Sequence, residues 1–181
     1  MYRLFVAIDL PPAVKEKILK LCFGIPGARW ADKDQLHLTL KFIGEVDGNI
    51  VDEVEEALSS IEAKSFSIIL SGIGHFPPKK EPRVIWVGVQ ENEKLLGLHK
   101  KIDRCLTQIG IEPDQRKFHS HITLARLKGN LPLPKISLYM AEHSFFKTDP
   151  IGVKEFILFR SFLSPKGATY QKIAAYNLKD S

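Results

Sequence analysis

What this chain holds little of narrows its chemistry. Among 181 residues there are two cysteines, Cys22 and Cys105. Both fall at apolar positions of helix-like runs, which predicts a buried thiol at each and gives no basis for a disulfide framework, redox chemistry or a cysteine metal site. No apolar stretch approaches the roughly 20 residues of a membrane-spanning helix, so no membrane partner is expected. The opening run Leu4-Phe5-Val6-Ala7-Ile8 is cut by Asp9 and then by Pro11-Pro12, a pattern foreign to a signal peptide. A cytoplasmic location is expected. There is no Gly-rich phosphate loop, no low-complexity segment and no linker.

The composition that remains, 44% apolar and 26% charged, is that of a globular chain long enough to bury a core without staples. A net charge of +5 favours an anionic partner. The excess is modest, and it suits a short RNA end or a nucleotide better than a long duplex, whose many phosphates call for a denser basic stripe. The pairs Lys79-Lys80 and Lys100-Lys101 read as solvated.

Two tetrapeptides of one form, His37-Leu38-Thr39-Leu40 and His121-Ile122-Thr123-Leu124, lie in apolar strand-like runs of opposite halves. On a strand alternate side chains share a face, so His37 and Thr39 point one way while Leu36, Leu38 and Leu40 point the other. His121 and Thr123 repeat the pattern. Imidazole titrates near neutrality, so two facing one substrate can act as base and acid, and two hydroxyls can hold an anionic group between them. That chemistry suits a phosphodiester. A lone His-x-Thr is more often structural than catalytic; two copies in matching contexts favour the functional reading.

The remaining pattern predicts strands over Tyr2–Asp9, Ala28–Ala31, Gln35–Ile43, Phe66–Ile73, Arg83–Val89, Phe118–Leu127, Val153–Leu163 and Ala168–Leu178, the last two closing around a Ser164-Pro165-Lys166-Gly167 turn. Helices are predicted over Ala13–Phe23, from Asp47 or Asn49 through Ile61, over Glu93–Ile109 and over Ile136–Glu142. Adjacent strands in several places favour an α+β fold of mostly antiparallel sheets, with helices outside. The repeated order strand, helix, motif strand predicts a bilobal, pseudo-two-fold duplicated fold around a central cleft. We expect one domain, residues 1–181, of two similar interleaved lobes.

Several strings together, Arg3-Leu4-Phe5-Val6-Ala7-Ile8-Asp9-Leu10-Pro11, His37 through Val46, Arg83 through Val89 and His121-Ile122-Thr123-Leu124-Ala125-Arg126, resemble the 2H phosphoesterase superfamily. Within it the chain is similar to the RNA 2′,3′-cyclic phosphodiesterases, also called 2′-5′ RNA ligases. The resemblance spans nearly the whole chain. It implies hydrolysis of RNA 2′,3′-cyclic phosphate ends, or of cyclic nucleotides, to 2′-phosphomonoesters by a monomeric enzyme without metal or cofactor. His37 is implied as the proton donor to the leaving 3′ oxygen and His121 as the acceptor of a water proton. Thr39 and Thr123 would hold the phosphate, and Arg126 would stabilise its growing charge.

Strand parity alone turns Arg126 away from His121, unless the strand bulges or ends near Ala125. Ser120 stands where the family commonly has proline. His119 shares the parity of His121 and is read as a strand-edge residue; Lys41 shares that of His37 and is read as a solvated lysine at most reaching the cleft rim. His75, His99 and His143 are read as structural or surface, and Trp30, Phe76 and Tyr170 as core rather than base-stacking platforms. Two alternatives remain, a non-catalytic RNA-end-binding protein and a metal-dependent phosphodiesterase using His119 and His121.

Overall fold

The computed structural model describes residues 1–180 and contains ten strands and four helices in the order β1 (Tyr2–Asp9), α1 (Pro12–Leu19), β2 (Arg29–Trp30), β3 (His37–Val46), α2 (Gly48–Ser59), β4 (Phe66–Ile68), β5 (Leu70–Phe76), β6 (Val84–Val89), α3 (Glu93–Gln108), β7 (His121–Arg126), α4 (Leu133–Glu142), β8 (Ile151–Val153), β9 (Glu155–Ser164) and β10 (Gly167–Asn177). One four-stranded sheet runs β10-β9-β1-β3 and another β2-β7-β6-β5, while β4 and β8 form a small ribbon. Every strand pairing is antiparallel. The α+β class follows directly. No helix is long and apolar enough to cross a membrane among the described residues.

Each sheet borrows from the other half of the chain. The C-terminal β9 and β10 extend the sheet of β1 and β3, and the N-terminal β2 edges the sheet of β7. Alternation in β1 sends Leu4, Val6 and Ile8 into the main core, which they share with Ile85 and Val87 of β6 and Ile122 and Leu124 of β7. On the opposite face Phe5 and Ala7 join Ile157 and Phe159 of β9 in a second, smaller cluster. Helices α2 and α3 pack on each other, α2 against β10 and α3 against β3 and β4. Their buried stripes, Val51, Val54 and Leu58 on α2 and Leu95, Leu98, Ile102 and Leu106 on α3, have helical spacing. Asn92 caps α3 by accepting from the Leu95 amide at 3.0 Å.

Element boundaries shift where local chemistry intervenes. Helix α1 ends at Leu19 rather than Phe23, because Leu21 and Cys22 donate to Ile18 and Leu19 in tight turns. Helix α4 begins three residues before Ile136, since Pro134 fits its first turn, where no amide donor is needed. The single strand expected over Phe66–Ile73 is two, β4 and β5, and Val153–Leu163 likewise divides into β8 and β9. The run before His121 is not strand: Phe118 instead stacks on the His99 ring, 4.0 Å away and nearly parallel.

The motif strands carry the most consequential irregularity. In β3, Thr39 stands opposite Ala7 and Lys41 opposite Val6, so Leu40 is an extra residue. In β7, Thr123 stands opposite Trp86 and Ala125 opposite Ile85, so Leu124 is extra. Both bulges fall on the fourth residue of the motif, and each reverses parity beyond it. Lys41 therefore turns inward, correcting its expected place as a solvated residue at the cleft rim. It is 1% exposed, with Nζ 2.7 Å from Asp103 Oδ1, 2.8 Å from Asp114 Oδ1 and 2.7 Å from the Glu112 carbonyl. Burial opposes the ammonium charge, but the bonds to Asp103 and Asp114 outweigh it and hold the pKa above its ordinary value. Beside it the buried His99 donates from Nδ1 to the Leu40 carbonyl at 2.8 Å.

Candidate active site

A cleft of about 660 Å³ is lined by both motif pairs, His37 with Thr39 and His121 with Thr123, together with Arg126. Alternation places each histidine on the face of its threonine, as expected. Ahead of β3, Gln35 braces the chain by accepting from the Asp32 amide at 2.9 Å and donating to the Ala168 carbonyl at 2.8 Å. His37 Nε2 and Thr39 Oγ1 are 2.9 Å apart. The imidazole sits in an aromatic box, 4.9 Å from the Phe5 ring and 5.2 Å from Tyr170, which meets it edge-on. That burial lowers its pKa to about 4, against the opposing influence of the Gln35 carbonyl and the Asp9 charge. Its Nδ1 is buried and makes no hydrogen bond of ordinary geometry.

His121 is oriented differently. Its Nδ1 donates to the His119 carbonyl at 2.6 Å, which leaves Nε2 as the nitrogen free to accept a proton. Phe76 packs edge-on at 4.9 Å. Burial lowers this pKa as well; the His119 carbonyl opposes the shift, while the charges of His119 and Arg126 add to it.

The Leu124 bulge resolves the position of Arg126. Parity would have turned this side chain away from His121, yet it lines the cleft because one residue has been inserted before it. The matching residue after the Leu40 bulge is Phe42, also in the cleft, with the Arg3 guanidinium 4.7 Å over its ring. Trp30 and Tyr170, expected in the core, line the cleft instead, whereas Phe76 packs behind His121 against Trp86. Arg3, Arg29 and Phe42 went unmarked in the sequence. The alternation Arg3, Phe5, Ala7 on β1 was a signal for Arg3; Arg29, on a two-residue strand, and Phe42, beyond a bulge, had none.

A sequence profile of the LigT like Phosphoesterase family matches residues 8–86 and, a second time, residues 87–170. The chain belongs to this family. It is 33% identical over 177 residues to the RNA 2′,3′-cyclic phosphodiesterase of Archaeoglobus fulgidus, covering 96% of this chain and 99% of that protein. The crystal structure of TT0787 of Thermus thermophilus is similar with a TM-score of 0.82 and 28% identity over 99% of each chain. That of E. coli LigT complexed with 3′-AMP is similar with a TM-score of 0.79 and 26% identity over 98% of each.

Around this LigT-like cleft the other titratable groups take supporting positions. His119 lies outside β7, exposed, with its ring 4.7 Å from that of Trp86, as a strand-edge residue does. Its carbonyl, rather than its ring, serves His121. A metal held by His119 and His121 lacks a third donor, since no three His, Cys, Asp or Glu side chains converge among the described residues. Ser120 precedes β7, and the hydrogen bond from the His121 ring to the His119 carbonyl restrains the entry to the strand on either side of it. His143 packs on Tyr139, and His75 is half-buried in β5. Cys22 and Cys105 are free and half-buried rather than fully buried, and burial raises both thiols, Cys22 to about 11.

Proposed function

We propose that this chain is an RNA 2′,3′-cyclic phosphodiesterase that adds water to a terminal cyclic phosphate and leaves a 2′-phosphomonoester. The observation that carries the reading is two His-Thr pairs, equivalently placed before equivalent bulges, facing one cleft. The cyclic phosphate binds as a monoanion between Thr39, Thr123 and Arg126, whose donors stabilise the charge that grows on its free oxygens. His121 Nε2 takes a proton from water as the water oxygen attacks phosphorus. The 3′ oxygen departs in line and receives a proton from His37. Each step uses a group already present, because the strained cyclic ester is itself the activated species.

The depressed pKa values fit a division of labour set by the substrate. At neutral pH a free His121 is a ready base. His37 lacks its proton in the empty cleft, and the negative phosphate arriving beside it offsets the cost of burying an imidazolium. Substrate binding and proton uptake at His37 are thereby linked. An RNA hydroxyl in place of water gives the 2′-5′ ligase direction through the same site. Free thiols with an RNA substrate fit the cytoplasm.

The test is hydrolysis of a cyclic-ended nucleotide followed by phosphorus NMR. His37→Ala and His121→Ala are each expected to lower turnover by on the order of a hundredfold or more while remaining folded. The rate is expected to survive a strong chelator. Near wild-type activity in either variant overturns the acid and base assignment, and a predominantly 3′-phosphate product reverses the roles of the two histidines.

A further inference from the structure

The cleft holds more positive charge than one phosphate uses. A cyclic phosphate end carries a single negative charge, for which Arg126 and the two threonine hydroxyls suffice. Two more guanidinium groups, Arg3 and Arg29, line the same cleft, and among the described residues no Asp or Glu lines it. Among the described residues none of the three arginines makes a salt bridge or a side-chain hydrogen bond to protein.

The placement of these arginines is built rather than incidental. Arg29 stands directly opposite Arg126 in the β2/β7 pairing, an arrangement in which like charges repel. With no acid lining the cleft among the described residues to offset it, a separate phosphate at each guanidinium is what makes the pair favourable. Arg29 also reaches the β9/β10 turn, where a Cβ on Gly167 would approach its Nη2 to 3.0 Å, so glycine there keeps the guanidinium's space open. Arg3 lies over the Phe42 ring, which fixes its plane while leaving its N–H donors free. The Tyr170 phenol, raised by burial, feels the charges of both Arg126 and Arg3, so the group spans one continuous stretch of cleft.

We propose that Arg3 and Arg29 bind the internucleotide phosphates next to the reacting one, and so set how strongly a cyclic-ended oligonucleotide is preferred over a free cyclic mononucleotide. This rests on the phosphodiesterase reading and extends it from the reacting group to the strand that carries it. Guanidinium to phosphate bonds are charge-assisted and bidentate, and each phosphate engaged adds about 0.7 to the salt slope of single-strand binding.

The decisive quantity is the ratio of kcat/KM for a cyclic-ended trinucleotide to that for the cyclic mononucleotide. In the wild type the ratio is expected to be about tenfold or more at low salt and to shrink as salt rises. Arg3→Gln and Arg29→Gln, with folding verified by circular dichroism, are each expected to lower it severalfold. A wild-type ratio near one, or an unchanged ratio in both variants, overturns the proposal and leaves the phosphodiesterase reading intact. If neither substrate is hydrolysed, that reading fails instead. Fluorescence anisotropy with a labelled 3′-phosphorylated trinucleotide then decides the arginines separately: weaker binding by both variants supports the sites, and equal binding overturns them.

Discussion

Burial sets the resting state of His37. The unfolded chain protonates this ring near 6.5 and the folded chain only near 4. Between those values the unfolded state binds more protons, so stability falls as pH drops from 6.5 to 4, by on the order of 3 kcal/mol if the ring stays closed to solvent. Urea denaturation across this interval is expected to show a flatter profile for His37→Gln than for the wild type. Catalysis carries the same signature. In the proposed scheme the productive free form has His37 protonated and His121 neutral, and both pKa values lie below the ordinary one. The optimum of kcat/KM is therefore expected below pH 6.5, and that of kcat higher, because the bound phosphate raises both groups. A rate that climbs steadily into alkali contradicts the scheme.

At the scale of elements, the motif bulges do what alternation alone cannot. One inserted leucine in each motif strand leaves histidine and threonine in the cleft and then brings Phe42 or Arg126 there as well. The histidines and threonines were legible because period-two alternation holds up to the fourth motif residue. Lys41 was not, since a register shift leaves no mark in residue types, and its partners Asp103 and Asp114 lie more than 60 residues away. Their carboxylates, 23% and 35% exposed, can recover some hydration if the lysine is lost. Lys41→Met is thus expected to cost roughly 2–3 kcal/mol, below the 3–5 typical of a fully buried pair. Because the ammonium also ties β3 to the Glu112 and Asp114 segment that leads into β7, kcat measured on fully folded protein is expected to fall about tenfold with a smaller change in KM. Thermal melting and steady-state kinetics together check this.

At the scale of the molecule, the repeated element order and the paired motifs made a duplicated α+β architecture legible, and the family profile matches the two halves in succession. The exchange of strands between sheets was not legible, because no local pattern records which edge a distant strand joins. That exchange predicts how the chain divides. Residues 1–86 alone keep β1 and β3 but lose β9 and β10, which exposes the β1 edge and uncovers Phe5 and Ala7. Residues 87–181 alone keep β7 but lose β2 on one side of it and, on the other, the Val84–Trp86 half of β6 that pairs with Thr123 through Arg126. We propose that the two halves form one cooperative domain, so each fragment is expected to be unfolded or aggregated on its own, as a bare strand edge and an uncovered apolar face dictate. Coexpression is expected to restore a folded complex that hydrolyses a cyclic-ended RNA, because the site needs His37 from one fragment and His121 from the other. A cooperative melting transition in either fragment alone would show instead that the halves are independent units.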